Sequence, residues 1–567
     1  MLVGIDLGTT NSLIATWVED RPRLIPNAVG GVLTPSVVGI DDSGDLLVGA
    51  AAKDRLISHP HLTAASFKRY MGTNHEIDLG GKRFRAEELS ALVLRSLKED
   101  AEAWLQQPIE EAVITVPAYF NDTQRKATMA AGRLAGLRVE RLLNEPTAAA
   151  LAYGISKRNT DSKYLIFDLG GGTFDVSIVE LFDGVIEVHA SSGDNFLGGD
   201  DFRDQLAKIF LEQHAAELKI DPLKPPPALL ERVLRQAEAA KCRLSGAASA
   251  DMRVTWQERD HTWSVSATDF ERHCEALLNR LARPIQQALR DARLRTAELD
   301  EIVLVGGATR MPAVRKLVTK LFGRFPLVEI NPDEAIAEGA AIQAALKARN
   351  AALGDVVMTD VCPYSMGVEI ARPIEGDRFE TGLYSPILER NSHIPISREG
   401  RFHTLQDNQQ AVNLRVFQGE NPLVRNNIFL GELNVKVPKA PAGRECIDVR
   451  FTYDLDGLLE VEVTVVSSGS RQRLVIEHNP GVLSKEEIER RFAALARLKL
   501  HPRDDLDNKQ VLARAERLYE ESLGAMRDAI SDRLALFQSV VNRQQRQEIA
   551  RARAEFEAFL NQIEASG

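Results

Sequence analysis

The chain has 567 residues, with 70 lysine and arginine residues against 81 aspartate and glutamate residues, which gives a formal net charge of −11. This length exceeds what one hydrophobic core supports and predicts roughly three or four domains. The composition, 44% hydrophobic and 27% charged, is that of a globular protein with a sizeable core. The acidic balance argues against nucleic acid as a partner, because phosphate contacts need a positive surface.

The start of the chain leaves no room for a signal peptide, because the first predicted strand begins at Leu2 and contains Asp6. No uncharged run reaches membrane-spanning length. The cysteines lie far apart without a CxxC pair, which argues against a disulfide framework and against a zinc site; they are Cys242, Cys274, Cys362 and Cys446. Together these features predict a cytoplasmic location with no membrane attachment.

The chain opens with a strand, a turn of small residues and a second strand. The first strand ends in Asp6, the turn runs from Gly8 through Thr9 and Thr10 to Asn11, and residues 12–18 are again apolar. Small turn residues let backbone N–H groups crowd around an anion, and an aspartate at the strand end can hold a cation. The pattern therefore predicts a phosphate-binding hairpin.

Strands and helices then alternate, as an α/β domain requires. The patterns predict a helix at 86–107, a strand at 111–116 ending at Pro117, a helix at 122–135, a strand at 139–143 and a helix beginning near Pro146.

Residues 164–181 repeat the hairpin pattern. An apolar run ends in Asp168, the glycines 170–172 and Thr173 follow, and alternating apolar residues form a second strand. A Rossmann or P-loop fingerprint would place a helix after the glycines, whereas here a strand follows, so the turn itself must carry any phosphate. One such hairpin alone has a plain tight turn as its alternative. Two of them predict two related lobes that share a cleft.

The second half of this region echoes the first. A break at 224–227 precedes a predicted helix that contains Glu238, Lys241 and Ser245. A strand at 301–305 ends in two glycines, and a helix follows at 312–322. This strand, turn and helix resemble the unit at 112–136, which favours an internal duplication.

Near residue 354 the pattern changes. Residues 355–360 are a short apolar segment between acids, and after Cys362 short strands separated by turns predict an all-β sandwich. From Ser484, which forms a predicted capping box with Glu487, the pattern is helical to the end. The predicted boundaries are 1–353 for the α/β domain, 354–361 for a linker, 362–480 for the sandwich and 481–567 for the helices.

Five ordered motifs carry a resemblance to a known family; they lie at 4–12, 112–153, 165–175, 198–202 and 303–312. They resemble the seventy-kilodalton heat-shock chaperones of the DnaK type, and the short helical end and residues 360–364 look like the bacterial HscC branch. The resemblance implies a multidomain protein with an actin-like, two-lobed α/β ATPase domain, a linker, a peptide-binding all-β sandwich and a short α-helical lid. It also implies an ATP-dependent chaperone that binds and releases hydrophobic segments of unfolded polypeptides, with an affinity switched by ATP binding and hydrolysis to ADP and phosphate.

The resemblance assigns roles to residues of both hairpins. Asp6 and Asp168 would hold Mg²⁺, largely through its waters, and K⁺ is left open as an additional ion. Catalysis is expected of Lys68, Glu145, Thr173 and Asp175. Within that set the two acids would orient the hydrolytic water and Lys68 would stabilise charge on the γ-phosphoryl group. Without the resemblance, Lys68 is indistinguishable from a surface lysine.

The resemblance also implies a larger set that binds ATP and ADP. Its members are Gly8, Thr9, Thr10, Asn11, Gly170, Gly171, Gly172, Thr173, Asp200, Glu238, Lys241, Ser245, Gly306, Gly307, Arg310 and Asp333. Read alone, the residues expected at the adenosine are helix-surface charges and turn glycines.

Two further sets concern the peptide and its coupling to nucleotide. The expected hydrophobic peptide cleft consists of Val368, Phe402, Leu405, Val412, Leu414 and Leu458, for which ordinary core is the alternative. The expected interdomain coupling residues are Pro117, Arg125, Arg141, Val357, Met358 and Asp360.

Partners follow from the same resemblance: client polypeptides and a J-domain co-chaperone. Cys242 stands where some family members place an arginine against the adenine, and the loop that retains nucleotide after Ser245 is missing. A nucleotide exchange factor is therefore expected to be dispensable. Residues 372–385 are expected to lengthen a loop beside the peptide cleft.

Two other functions were weighed. A sugar or acetate kinase of the same ATPase superfamily would share both hairpins but has no use for the sandwich and the helical end. A non-catalytic holdase or exchange-factor relative would keep nucleotide as a structural element. The presence of all four expected catalytic residues argues against that reading.

Overall fold

A computed structural model describes twelve segments of the chain: 1–139, 141–156, 161–182, 185–327, 331–348, 357–374, 378–394, 396–453, 459–476, 502–522, 524–542 and 546–566. Leu458, linker residues 354–356 and the predicted capping box at Ser484 and Glu487 lie outside these segments, as does the side chain of Val357. Within the described segments, every helix is too short or too polar to cross a bilayer.

The first lobe covers residues 1–156. Its strands are β1 (Leu2–Asp6), β2 (Asn11–Val18), β3 (Arg21–Leu24), β4 (Thr34–Pro35), β5 (Val38–Ile40), β6 (Leu46–Val48), β7 (Thr63–Ala64), β8 (Glu76–Leu79), β9 (Lys82–Arg85), β10 (Glu111–Val116) and β11 (Leu142–Asn144). Its helices are α1 (Ala50–Asp54), α2 (Ala86–Leu105), α3 (Asp122–Leu134) and α4 (Glu145–Ser156). The side chain of Asn121 caps α3 by accepting a hydrogen bond from the backbone N–H of Gln124.

The second lobe follows. Its strands are β12 (Ser162–Leu169), β13 (Phe174–Phe182), β14 (Val185–Asp194), β15 (Ser249–Trp256), β16 (Arg259–Ser266) and β17 (Glu301–Val305). Its helices are α5 (Gly199–Leu218), α6 (Pro227–Arg243), α7 (Ala267–His273), α8 (Glu275–Asp291), α9 (Pro312–Phe322) and α10 (Ala335–Lys347).

The main sheets of the two lobes have the same topology. In the first, β10 runs parallel to β1, and β1, β2 and β3 are antiparallel neighbours. In the second, β17 runs parallel to β12, and β12, β13 and β14 are antiparallel neighbours. This is the arrangement that the predicted internal duplication requires.

Two predictions for this region are wrong in detail. The strand predicted at 139–143 is shorter and lies later, at Leu142–Asn144. Helix α6 ends at Arg243, so Ser245 is not part of it. The physical reason is that the backbone N–H of Ser245 turns back to the carbonyl of Cys242 in a tighter turn.

Helices α4 and α10 cross between the lobes. At the crossing, a Cβ added to Gly339 of α10 would lie 1.8 Å from the carbonyl oxygen of Ala148 in α4. On its other side α10 approaches β1, where a Cβ on Gly4 would lie 2.2 Å from the carbonyl carbon of Ala340. Only glycine permits backbones to approach this closely. The two lobes are therefore held together by helix backbone contact at the base of the cleft.

The linker forms a strand, β18 (Val357–Val361), which joins the second-lobe sheet in parallel to β14. It is followed by β19 (Met366–Ile374), β20 (Arg378–Leu388), β21 (His393–Ile394), β22 (Ile396–His403), β23 (Ala411–Gln418), β24 (Ile428–Lys436), β25 (Cys446–Tyr453), β26 (Leu459–Val465) and β27 (Arg471–Ile476). β21 pairs with the far edge of β18, so the linker lies between the lobe and the strands that follow.

The predicted sandwich is present. One sheet has the order β20-β19-β23-β24 and the other β22-β25-β26-β27, and their inner faces share one core that includes Val416, Phe451 and Val461. The loop expected to lengthen at 372–385 is wrong, because 372–374 and 378–385 pair as the long arms of the β19–β20 hairpin. Backbone groups in a paired hairpin are satisfied by the ladder, which a loop would not achieve.

The helical end has α11 (Pro502–Glu521), α12 (Ala525–Asn542) and α13 (Arg546–Ser566). They share a small core that includes Leu518, Ile530, Phe537 and Phe556. Helix α11 also lies on α1 of the first lobe.

Candidate nucleotide site and its connection to the sandwich

The two glycine-rich turns face each other across the cleft. A Cβ added to Gly171 would lie 1.9 Å from the Thr10 hydroxyl oxygen, and one added to Gly172 would lie 2.7 Å from a methyl carbon of Thr9. The N-terminus of α5 meets the second turn, where the N–H of Asp200 donates to the carbonyl of Gly171 at 2.8 Å. The predicted phosphate turns are therefore in direct contact, with backbone N–H groups and a helix N-terminus nearby.

Four acidic side chains and one lysine are buried beside these turns. Asp6 ends β1, Asp168 and Asp175 lie on β12 and β13, and Glu145 begins α4; all are less than 8% exposed. Lys68, in a short 3₁₀ turn, donates from Nζ to Glu145 Oε1 at 2.8 Å. The structure thus brings both lobes' predicted metal and catalytic residues to one place.

Each carboxylate has a specific neighbour. The Thr115 hydroxyl donates to Asp6 Oδ1 at 3.0 Å, and the backbone N–H of Tyr119 donates to Asp175 Oδ1 at 3.0 Å. Thr173, 7% exposed, directly precedes β13. These contacts fix the acids without neutralising them.

Burial and mutual repulsion raise the pKa values of these acids. Burial, and then the charge of Glu145, raise the pKa of Asp6 to about 7. The same two causes raise the pKa of Asp175 to about 7 and that of Asp168 well above its ordinary value. Clustered carboxylates that share one lysine lack enough positive charge, so they favour binding of a cation.

The fit to a divalent cation rests on two orphaned atoms. Among the described residues, Asp168 Oδ2 and Asp175 Oδ2 are buried without a hydrogen-bond partner. A buried carboxylate oxygen without a partner costs free energy that a bound cation or its water shell would recover. Oxygen donors are also what Mg²⁺ prefers, and it keeps several of its waters. The residues present therefore fit such an ion.

The residues predicted at the adenosine lie along one side of the second turn. Lys241 donates from Nζ to the carbonyl of Gly199 at 3.0 Å and pairs with Glu238 at 2.7 Å. A Cβ on Gly306 would lie 2.9 Å from Asp168 Oδ1, so this glycine borders the acidic cluster. Cys242 is exposed and donates from Sγ to Glu238 at 3.5 Å.

Two more members of this set pair with each other. Arg310 donates to Asp333 at 2.7 Å, and a Cβ on Gly307 would lie 2.8 Å from Asp333 Oδ1. Ser245 lies just beyond the end of α6.

A chain of two hydrogen bonds joins Arg125 through Asn144 to the linker. Arg125 donates to Asn144 Oδ1 at 2.6 Å, and Asn144 donates from Nδ2 to Asp360 Oδ2 at 2.8 Å. The next residue after Asn144 is Glu145, which holds Lys68. Asn144, which contacts the linker, and Glu145, which belongs to the acidic cluster, are therefore neighbours in the chain.

The other predicted coupling residues surround this chain. Pro117 directly follows β10, and its carbonyl accepts a hydrogen bond from the N–H of Phe120 at 3.1 Å. Burial raises the pKa of Asp360, and the charges of Arg125 and Arg141 offset part of that rise. The side chain of Met358 is half-buried against the core between the lobes.

Sequence reasoning missed a second route between the cleft and the sandwich. Tyr119, whose N–H holds Asp175, accepts at its carbonyl a hydrogen bond from the Tyr364 hydroxyl at 2.9 Å. Asp291, at the end of α8, pairs with Arg390 at 3.0 Å and accepts from Asn391 at 2.9 Å. No local pattern marks these residues, because their partners lie far away in the chain.

The helical end makes a contact that was also not predicted. The buried side chain of Arg55, beside α1, pairs with Glu516 of α11 at 2.9 Å and with Asp42 at 3.2 Å. On the second lobe, Arg235 pairs with Glu521 at 3.1 Å. The first helix of the end thus bridges both lobes.

The residues predicted to form the peptide cleft divide by exposure. Val368 and Leu414 are buried in the sandwich core, which is the alternative weighed from the sequence. Phe402 and Val412 are half-buried against that core, and Leu405 is 38% exposed. The structure thus leaves three of the described residues within reach of a ligand from solvent.

Two lobes of one topology around an acidic cleft, followed by a linker strand, a β-sandwich and a helical end, define a multidomain protein with an actin-like ATPase domain. Residues 2–566 match the family profile described as "Hsp70 protein", and the chain belongs to the Hsp70 family.

Relatives with the description "Chaperone protein DnaK" agree. Those of Thermotoga neapolitana and Thermotoga petrophila are each 44% identical over 504 residues, covering 86% of this chain and 82% of theirs. The DnaK of Thermosipho melanesiensis is 44% identical over 503 residues with the same coverage. The family match extends through the sandwich and the helical end, which a sugar or acetate kinase does not need.

Proposed function

We propose that this protein is an ATP-dependent chaperone that binds and releases hydrophobic segments of unfolded polypeptides, with ATP binding and hydrolysis switching its affinity. The observation that carries this proposal is a pair of hydrogen bonds at adjacent residues: Lys68 donates to Glu145, and the preceding residue, Asn144, donates to Asp360 of the linker. A kinase without a peptide-binding domain, or a non-catalytic holdase, has no need for contacts between a catalytic cluster and a linker strand. The relatives' printed description as chaperones agrees with it.

The roles within the cleft follow from charge and position. Lys68 lies in the 3₁₀ turn and donates to Glu145 of the acidic cluster, and it would stabilise negative charge that develops on the γ-phosphoryl group. Glu145 and Asp175 would orient the attacking water, and Thr173 would contact the phosphate from the second turn. Glu145 is restrained by Lys68, and Asp175 by the N–H of Tyr119.

Mg²⁺ would be held by Asp6 and Asp168, and when bound it would neutralise phosphate charge. Burial raises the pKa of Asp6 to about 7 and also raises that of Asp168, so binding of the cation would compete with protons in the nucleotide-free cleft. K⁺ as an additional ion stays a prediction. Nucleotide would be cradled by the two turns, with Glu238, Lys241 and Arg310 on the adenosine side.

The wider assignments are proposals of the same kind. A cytoplasmic location, a J-domain co-chaperone, the HscC branch and the domain boundaries stated above all rest on the sequence. The exposed half of the peptide cleft, Phe402, Leu405 and Val412, would contact the client's apolar side chains.

Single-turnover ATP hydrolysis tests the catalytic assignment. Lys68→Ala should bind ATP yet hydrolyse it about 10² to 10³ times more slowly, the usual effect of removing one positioned charge. Lys82→Ala, which changes an exposed lysine on β9 of the same lobe, should hydrolyse ATP at the wild-type rate. Equal rates in Lys68→Ala and wild type, with ATP binding intact, would refute the assignment.

A further inference from the structure

A group of three side chains at the junction between the second lobe and the sandwich is not used by the proposed mechanism. Glu187 and His189 lie on β14, and His393 lies on β21, beyond the linker strand. One ligand atom from each, two imidazole nitrogens and a carboxylate oxygen, all lie within 4.8 Å of one another. Among the described residues this is the one such group of histidine, cysteine and acidic side chains.

The polar side chains of this group are only partly paired with one another. His189 Nε2 lies 2.7 Å from Glu180 Oε2, and His393 Nδ1 lies 3.6 Å from Glu187 Oε1, beyond hydrogen-bond distance. The carboxylates of Glu180 and Glu187 are directly opposite each other on β13 and β14. Like charges at such a pair are destabilising, and the nearby Lys163 approaches Glu180 at 3.5 Å. Glu187 is thus the acid that gains most from an additional positive charge.

We propose that Glu187, His189 and His393 bind a divalent metal ion of the zinc class across this junction. Two imidazoles and one carboxylate are a common ligand set for Zn²⁺ with an open fourth position, whereas Mg²⁺ takes oxygen ligands. Metal–ligand bonds of about 2.0 to 2.2 Å require the three ligand atoms to close in from their present separations. His393 is half-exposed, with a side-chain exposure of 49%, and is free to make that adjustment.

The carboxylate of Glu180 orients the ring of His189. Glu180 accepts from His189 at the nitrogen that faces it, and a carboxylate hydrogen-bonded to a ligating histidine fixes the ring and raises its basicity. His189 would then bind metal through Nδ1 or exchange Nε2 from Glu180 to the ion. The exposed side of the group leaves a path for the ion and for a water ligand.

The ligands come from two domains, so the site exists only while they are docked. Glu187 and His189 belong to the ATPase lobe, whereas His393 lies on β21, which pairs with the linker strand β18. The nearby Arg390 and Asn391 also contact Asp291 of the lobe. An ion that binds all three must favour the docked arrangement by its differential affinity. If ATP also favours docking, a step that rests on the proposed function, ATP and Zn²⁺ must strengthen each other's binding.

Zinc titration of the full-length protein in excess Mg²⁺ tests the site. Wild type should bind one Zn²⁺ that is weakened at least about 100-fold in His393→Ala and in His189→Ala, since even outer partners of metal ligands contribute about 10- to 100-fold. His61→Ala, which removes an exposed histidine elsewhere, should bind as wild type does. Equal affinity in His393→Ala and wild type would overturn the proposal.

X-ray absorption distinguishes this site from the thiol of Cys446, which lies 3.2 Å from His403. Zn²⁺ bound as proposed has nitrogen and oxygen neighbours at about 2.0 to 2.2 Å, and a sulfur neighbour at about 2.3 Å would overturn the assignment. Because the spectrum reports ligands directly, it decides the matter even if a variant folds poorly.

Amide hydrogen exchange separates the metal site from the chaperone cycle. Zn²⁺ should slow exchange at the backbone amides of 357–361 in wild type and not in His393→Ala, with or without nucleotide. Unchanged exchange on zinc binding in wild type would overturn a site that spans the junction. If Zn²⁺ protects these amides but ATP does not affect zinc affinity, the metal site stands and the nucleotide coupling of the proposed function fails.

Discussion

At the scale of single residues, the acidic cleft makes stability depend on pH. Asp6 has a folded-state pKa of about 7 against an ordinary value of 3.8, so the folded protein retains a proton that the unfolded chain loses between those values. Stability of the metal-free and nucleotide-free protein should therefore fall as pH rises through this window. Above about pH 7 the whole penalty applies.

Asp6→Asn removes this ionisation. In thermal unfolding without metal or nucleotide, the variant should gain melting temperature over wild type as pH rises from about 5 to 8, by about 1 to 2 °C for a gain on the order of 1 kcal/mol. Asp251→Asn, at an exposed position, should show no pH-dependent gain. A variant that tracks wild type at both pH values would show that Asp6 ionises freely in the folded protein.

Nucleotide exchange is also decided by single residues. Cys242 is exposed and offers no guanidinium to stack on the adenine, so ADP should leave quickly without a helper protein. Cys242→Arg should slow the release of a fluorescent ADP in stopped-flow measurements, by about 2- to 5-fold if stacking contributes about 0.5 to 1 kcal/mol. Slow release from wild type that a GrpE-type factor strongly accelerates would contradict this expectation.

The sequence predicted much at this scale, because hairpin residues act locally. Asp6, Asp168 and the glycines 170–172 were found from strand ends and turns alone, whereas Lys68 was found only through the family resemblance. Tyr119 and Asp291 were missed because their function depends on partners in the sandwich. Such pairings leave no periodic signal in the chain.

At the scale of elements, the α4–α10 crossing limits which residues the lobes tolerate. Gly339→Ala would place a methyl group 1.8 Å from a backbone carbonyl oxygen that has no rotamer to adjust. Overfilling of this kind typically costs about 1 to 3 kcal/mol, so the melting temperature of the ATPase domain should drop by about 1 to 4 °C. Gly246→Ala is the matched control, since nothing lies within 4 Å of its added Cβ. Equal losses in the two variants would mean that the helices move apart easily.

The predicted boundaries of helices and strands agree with the observed ones where a capping residue or a helix-breaking residue marks the end of the element. Helix α9 occupies the predicted 312–322, and β17 the predicted 301–305. The misplaced ones, Leu142–Asn144 and the end of α6, lack such marks. Residues 372–385 were expected to lengthen a loop because the resemblance shows them as extra residues, which does not reveal that they pair along the β19–β20 ladder.

At the scale of the whole molecule, the linker strand connects nucleotide to peptide. Met358 is half-buried beside the lobes' shared core, and Asp360 accepts from Asn144. Met358→Asp and Asp360→Ala should each leave ATP binding intact but reduce the difference between peptide off-rates with ATP and with ADP. Couplings of this kind are usually about 1 to 3 kcal/mol, or roughly 5- to 150-fold in affinity. Glu399→Ala, on the exposed face of β22, should leave that difference unchanged.

Peptide off-rates that still differ as in wild type in both linker variants would show that the strand is only a tether.

The order of domains could be predicted from the sequence, since each has its own periodicity. Their docking could not, because it depends on contacts such as Arg55 with Glu516 that join residues hundreds of positions apart.

The seating of β18 on β14 has one more consequence, which concerns self-association. Residues 185–187 of β14 pair with 357–359 of the linker, so release of the linker uncovers unpaired backbone donors and acceptors along a sheet edge. Exposed edges recruit strands from other molecules unless charges blunt them. Glu187 and His189 provide polar groups on this strand. In this protein, which binds aggregation-prone polypeptides, the linker strand thus covers a sheet edge at which the protein itself would be prone to aggregate.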